Sequence, residues 1–280
     1  MKKISSLFEV HLAVIFFGLA GLFGKWIDLP PSLITYGRCA FAFAALFFLI
    51  LFSKERFALK RVSHYCAFAG LGMLLALHWW TFFHSIQMST VAVGLLTFST
   101  FPVFTVFLEP LFFKEKITWT DIVAALITLG GIACIVPDFD MSHSTTVGAI
   151  FGVLSGASFA VLQILNRKYV QNYSGRLITF YQTGIASFAL LPAVSVANSG
   201  FSLSDVGMLA VLGVLCTATA HSLFINGLRS VKVRSASIIA GLEPVYGIVF
   251  AILFLHEIPS WKEICGGAVI LSAASWVSFK

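Results

Sequence analysis

Charged residues are scarce in this chain. Of 280 residues, 18 are Lys or Arg and 12 are Asp or Glu, together 11%. A soluble domain devotes about a quarter of its residues to these four types, so a water-facing surface cannot be built from so few. Long polar stretches are missing as well, which leaves no room for a soluble domain between the apolar segments. No C-x-x-C pair occurs. Cys39, Cys66, Cys134, Cys216 and Cys265 lie singly in apolar runs, which argues against a zinc ribbon or a disulfide framework and fits small core residues. No G-x-x-x-x-G-K-[ST] loop is present, so ATP hydrolysis is not expected. The stretch from His256 begins like H-E-x-x-H but has Ser260 where the second ligand belongs, and no G-x-S-x-G elbow occurs. An intramembrane enzyme therefore has little support, and no cofactor or metal is expected. The net charge of +6 does not point to nucleic acid, because the basic residues are scattered through short connections rather than gathered in a patch.

What is abundant is apolar length. The chain is 59% hydrophobic with a mean hydropathy of +0.95. Apolar segments fall at roughly 7–25, 32–52, 65–85, 90–112, 118–136, 146–166, 176–197, 206–227, 235–256 and 261–279. Each approaches the length a tilted helix needs to cross a hydrocarbon layer of about 30 Å. The expected fold is an all-α polytopic membrane protein with ten transmembrane helices. Lys2 and Lys3 before the first run resemble a signal peptide, but the run continues to about Trp26, so a retained first helix is expected.

Basic residues set the direction of these crossings. With the N-terminus inside, one side collects Lys2, Lys3, Lys54, Arg56, Lys60, Arg61, Lys114, Lys116, Arg167, Lys168, Arg176, Arg229, Lys232, Arg234 and Lys280. The other side collects only Lys25 and Lys262, and Arg38 lies within a span. Both termini are then cytoplasmic, in a cell membrane (the inner membrane in a Gram-negative cell).

The second half of the chain repeats part of the first. Pro102, Glu115, Trp119 and Asp121 match Pro244, Glu257, Trp261 and Glu263 at one offset of 142. Leu33 to Tyr36 matches Leu177 to Phe180 at an offset of 144. The two proline-bearing helices are five spans apart and so cross in opposite directions. Two inverted five-helix repeats follow, residues 1–139 and 140–280, and inverted repeats with midplane sites at broken helices are the pattern of secondary transporters.

With its doubled Pro…Glu…Trp segment and an Arg in the second span, Arg38, the chain resembles the EamA-type members of the drug/metabolite transporter superfamily over nearly its whole length. That resemblance implies a carrier, often an exporter of amino acids, metabolites or drugs, and identifies no substrate.

Polar groups inside apolar runs need a reason, since each charge at bilayer depth costs on the order of 3 kcal/mol or more. Glu243 stands beside Pro244, whose missing amide hydrogen frees the carbonyl of Ala240. This carboxylate either binds a proton, a cation or a substrate amine, or locks its helix through a structural bond. Its counterpart in the first half is Phe101, so the acid breaks the internal symmetry. Arg38, whose counterpart is Gln182, either snorkels to the interface, pairs with a carboxylate or binds an anionic group. The run from His78 to His84 places His78 and Phe82 on one helix face, with Trp79 and Trp80 on the next two. It reads either as an interfacial aromatic belt or as the wall of a cavity suited to flat or cationic ligands. His78 is a further candidate for proton relay. His11, His221 and Tyr246 are candidate cavity residues, Pro102, Pro244 and Glu109 candidate break or gate residues. Glu109 is expected near Lys114 and Lys116. Gly148, Gly152 and Gly156 recur every four residues and form a packing face, either between the halves or in a dimer. The expected partners are the bilayer and a small organic solute, with protons, and the expected state is a monomer or homodimer. A channel or a non-transporting assembly partner is the alternative reading.

Overall fold

Two prolines interrupt two of the helices. The computed structural model of the chain describes residues 2–53, 55–113, 117–136, 140–196 and 201–278. Glu115, Lys54, Lys114, Lys116 and Lys280, and the junction at residue 139, lie outside them. The described residues are helical, without a strand. In chain order the helices are α1 (Lys2–Trp26), α2 (Pro31–Phe52), α3 (Val62–Met88), α4 (Val91–Phe98), α5 (Phe101–Phe113), α6 (Trp119–Ile135), α7 (Ser144–Tyr169), α8 (Gly175–Val196), α9 (Leu203–Gly213), α10 (Ala220–Gly227), α11 (Val233–Ala240), α12 (Glu243–Leu255) and α13 (Trp261–Ser278). A π-helical turn, Val214–Thr219, joins α9 to α10. Among the described residues, eight helical runs are long and apolar enough to cross a membrane, and α6 is a shorter apolar helix. Large apolar side chains such as Phe52, Leu126, Phe188 and Phe254 are exposed, as a lipid-facing surface requires.

Pro102 and Pro244 occupy the second position of α5 and α12. Proline lacks the amide hydrogen and clashes with the carbonyl four residues back. Those carbonyls belong to Phe98 and Ala240, and α4 and α11 end at these residues. The Ser99 and Thr100 hydroxyls return to the carbonyls of Leu95 (2.9 Å) and Thr97 (2.8 Å), so the two hydroxyls at the first break are themselves satisfied.

The rest of the duplicated segment closes helix ends. Glu257 accepts a hydrogen bond from the amide of Val91 at 2.6 Å, placing a carboxylate on the N-terminus of α4. Asp121 accepts from the amide and hydroxyl of Thr118 at the start of α6. Glu263 does the same for the Ser260 amide at the start of α13, and also accepts from the Thr90 hydroxyl at 2.6 Å. Trp119 and Trp261, each the first residue of its helix, are exposed.

Helices from the two parts of the chain interleave. α7 packs along α3, α4 and α5, and α1 packs along α10 and α12, while α2 lies against α8 and α6 against α13. The close approaches need glycine. A Cβ on Gly18 of α1 would lie 2.9 Å from the amide nitrogen of Gly247 and 3.0 Å from the carbonyl of Glu243, at the break of α11 and α12. A Cβ on Gly156 of α7 would lie 2.6 Å from the carbonyl of Phe98, at the break of α4 and α5. Gly148 and Gly152 continue that face against Ser89 and Thr97. The glycine face of α7 is thus occupied by α3 and α4 of the same chain.

Candidate functional site

At the level of the two breaks, α1, α2, α3, α4, α7, α10 and α12 surround an internal cavity. Its lining is Phe17, Ala20, Arg38, His78, Trp79, Phe82, Phe98, Phe159, His221 and Glu243. The volume is about 20 Å³, room for about one water molecule. The chamber in this conformation is therefore contracted, and a larger solute enters only if the surrounding helices move.

Arg38 is 2% exposed. Its guanidinium lies over Trp79, 3.8 Å from the ring centroid, with Phe83 at 5.4 Å. Nε donates to the Thr217 hydroxyl oxygen at 3.0 Å and Nη2 approaches the Cys216 carbonyl at 3.5 Å. Both acceptors come from the π-helical turn. The Thr217 hydroxyl donates back to Leu212, five residues earlier, at 2.9 Å, so its lone pairs are left for Arg38. Wide π turns are common at functional sites because they re-aim backbone and side-chain groups in this way.

Glu243 opens α12 and is 4% exposed. Among the described residues no donor bonds its carboxylate, and no ion pair joins it to Arg38. A guanidinium and a carboxylate thus share one low-dielectric chamber without touching. A solute able to bridge them gains from both, since burying either charge alone is costly.

The two histidines have assignable tautomers. His78 Nδ1 lies 3.1 Å from the Ser155 carbonyl and 2.9 Å from its hydroxyl oxygen, while that hydroxyl donates to the His78 carbonyl at 3.1 Å. A carbonyl only accepts, so Nδ1 carries the proton and Nε2 is the acceptor. His221 Nε2 lies 3.1 Å from Gln182 Oε1, and Gln182 donates its amide to Asn166 at 2.6 Å. His221 therefore donates through Nε2 and keeps Nδ1 as an acceptor. The neutral imidazoles and Glu243 supply acceptors, and Arg38 supplies donors.

The fold brings Arg38, Glu243, His78, Trp79, Phe82 and His221 to one wall-to-wall cluster. The belt reading of the helix α3 aromatics fails for Trp79, which is 5% exposed under Arg38. Trp80 is half-buried and packs with His84 on Phe151 of α7. Phe101 does not line the chamber. It is fully buried one ring behind it, 5.1 Å from both Phe98 and Phe159. Tyr246 is half-buried on the core beside Gly18 and is also outside the lining. The expectation for His11 is overturned: it is exposed, because at 100° per residue it lies about a third of a turn from the face of Phe17. Glu109 is buried near the end of α5, where Arg167 of α7 approaches to 3.8 Å. Its expected neighbours Lys114 and Lys116 lie outside the described residues. Sequence reasoning missed Phe17, Ala20, Phe98, Phe159 and Thr217. Phe98 carried a signal, being four residues before Pro102; the π turn carried none.

The sequence model of the EamA-like transporter family matches this chain twice, over residues 5–136 and 146–279. The chain belongs to the EamA-like transporter family. It is similar to the uncharacterized transporter YxxF of Bacillus subtilis (strain 168), with 25% identity over 97% of this chain and 88% of that one. It is also similar to the S-adenosylmethionine uptake transporter of Rickettsia bellii, with 24% identity over 75% of this chain and 70% of that one. A crystal structure of another protein shares the fold, with a TM-score of 0.72, 15% identity, and coverage of 99% of this chain and 97% of that one. This EamA-like chain is accordingly a small-solute transporter, multi-pass in the cell membrane, and its relatives are named as transporters, not enzymes.

Proposed function

We propose that this EamA-like protein is a secondary carrier for a small amine-bearing metabolite with an acidic group, such as an amino acid, working by alternating access. In this reading ten helices cross the membrane as two inverted halves, 1–139 and 140–280, with both termini cytoplasmic. The two separate family matches and the interleaved packing of α1 and α7 support the halves. The observation that carries the substrate class is the pairing of Arg38 with Glu243 across one aromatic chamber at the helix breaks. Arg38 receives a carboxylate, Glu243 an ammonium or other cationic centre, and the imidazole acceptors take further hydrogens. S-Adenosylmethionine, named for one relative, has this pattern of charges. Glu243 also exchanges a proton with the solute or solvent, which couples the cycle to pH; export driven by proton entry is the favoured direction. Contraction of the chamber is held toward one end by Gln163, which donates to Thr105 at 2.6 Å and accepts from Ser237 at 3.2 Å, and beyond it by Glu109 and Arg167.

The test is transport of amino acids and amines by the purified protein in proteoliposomes, with and without a pH gradient. Saturable flux with counterflow is expected, lost in Glu243→Gln while the folded protein remains abundant. Flux without saturation or counterflow would make it a channel. Unchanged kinetics in Glu243→Gln would remove that residue from the site, and indifference to the gradient would remove the proton.

A further inference from the structure

Far from the chamber, where α7 ends and α3 begins, lies a groove of about 300 Å³ lined by Lys60, Arg61, His64, Lys168, Tyr169 and Asn172. No carboxylate lines it. Three other cations at this end of the molecule have partners: Arg176 lies 3.5 Å from Glu55, Arg167 approaches Glu109, and Arg229 donates to the carbonyls of Val170 and Tyr173. Among the described residues, no carboxylate pairs with Lys60, Arg61 or Lys168.

The groove gathers donors beyond these charges. The Tyr173 hydroxyl accepts from the amide of Lys60 at 2.9 Å and lies 2.6 Å from His64 Nδ1. With no other acceptor for it among the described residues, the Tyr173 proton goes to Nδ1 of a neutral His64, whose own hydrogen is then on Nε2. With its hydrogen on Nε2, His64 adds a donor to the groove. The 27-residue helix α3 also starts here. Its N-cap, Arg61, provides no side-chain cap, and its first turn holds no acid, so its partial positive charge adds to the cluster.

Position and flanking surface select the kind of anion. Two apolar spans, Val62–Met88 and Ser144–Tyr169, begin and end at the groove, so it sits at the headgroup level of the bilayer. Away from it, Met73 and Leu77 on α3 and Ile150 and Leu154 on α7 are exposed apolar side chains on neighbouring helices, available to acyl chains. We propose that this groove is a binding site for the phosphate of an anionic phospholipid such as phosphatidylglycerol. Lys60, Arg61 and Lys168 hold the charge, and the His64 Nε2–H and the start of α3 add hydrogen bonds. The proposal does not depend on the transport reading.

The test is native mass spectrometry of the purified, delipidated full chain titrated with phosphatidylglycerol or phosphatidylcholine of matched acyl chains, with inorganic phosphate in a parallel thermal-shift series. Each basic residue near a membrane anion contributes about fivefold in affinity, so the triple variant K60Q/R61Q/K168Q is expected to bind phosphatidylglycerol about a hundredfold more weakly. Its binding should fall to the phosphatidylcholine level, and K60R/K168R should retain it. These side chains are exposed, and an unchanged thermal transition of the lipid-free variant confirms that it folds. Equal retention of the two lipids, or unchanged phosphatidylglycerol binding in the triple variant, overturns the proposal. Stabilisation by inorganic phosphate as large as that by lipid, and lost in the triple variant, assigns the groove to a free anion and overturns the lipid occupant.

Discussion

The hold of Thr217 on Arg38 gives the sharpest quantitative test of the chamber. Thr217→Val preserves shape and removes one oxygen. Two hydrogen bonds go with it, from Arg38 Nε (3.0 Å) and to the Leu212 carbonyl (2.9 Å). A hydrogen bond to a charged group is worth about 1.5–3 kcal/mol. Polar pairs between membrane helices average only about 0.6 and reach about 1.7 kcal/mol. Because Arg38 is buried and charged, the upper part of the membrane range applies, about 1.5 kcal/mol for the Arg38–Thr217 bond alone. A double-mutant cycle isolates that bond from the Leu212 bond, since the latter is lost equally in both backgrounds. The variants are Thr217→Val, Arg38→Met and the double, measured by denaturant unfolding in one detergent. Thr217→Val should cost about 1.5 kcal/mol more with Arg38 present than with Met at that position. Thr217→Ser, which keeps the oxygen, should show the smallest loss. Additive losses, with no coupling between the two positions, would refute the claim that the π-helical turn holds the guanidinium.

Three further outcomes follow from the packing and the helix caps. Gly156→Ala inserts a methyl 2.6 Å from the Phe98 carbonyl, so overpacking should cost about 1–3 kcal/mol. Gly70→Ala, which meets nothing within 4 Å, should leave the melting temperature unchanged or raise it. Glu257→Ala removes the carboxylate from the start of α4 and should cost about 0.5–2 kcal/mol, with faster hydrogen exchange at Val91 and its neighbours. Slow exchange there in the variant would show that another group caps the helix.

Much of the architecture is legible in the residues because lipid imposes simple rules. A span must be long and apolar, and a proline two positions into a helix dictates where the preceding one stops. Arg38, Glu243, His78 and Trp79 are identifiable as candidates because a polar or amphipathic side chain in an apolar run has few places to go, and Phe82 follows from sharing a helix face with His78. What stayed hidden is rotation. In a helix with lipid on one side and core on the other, both faces are apolar, so periodicity does not say which way His11 points. The 29 phenylalanines defeat composition in the same way: Phe98 and Phe159 line the chamber and Phe101 stands just behind, with nothing in the residue type to separate them. The role of Thr217 depends on a backbone register shift that leaves no sequence signature.

The contact of Gly18 with the carbonyl of Glu243 spans most of the chain, and it has a consequence for biosynthesis. The ribosome adds about 5–20 residues per second, so α1 waits roughly 10–45 seconds for the helix it will finally rest on. During that wait α1 sits in the bilayer with Gly18 lacking the helix break it packs against, while Gly21 and Gly24 already meet α4 and α3. Likewise, the Phe98 carbonyl at the break of α4 and α5 meets Gly156 only when α7 arrives. Neither part is then a finished folding unit when it leaves the insertion machinery. Assembly ends with an exchange of helices between the two parts, and quality control must tolerate an intermediate that is inserted but unpaired.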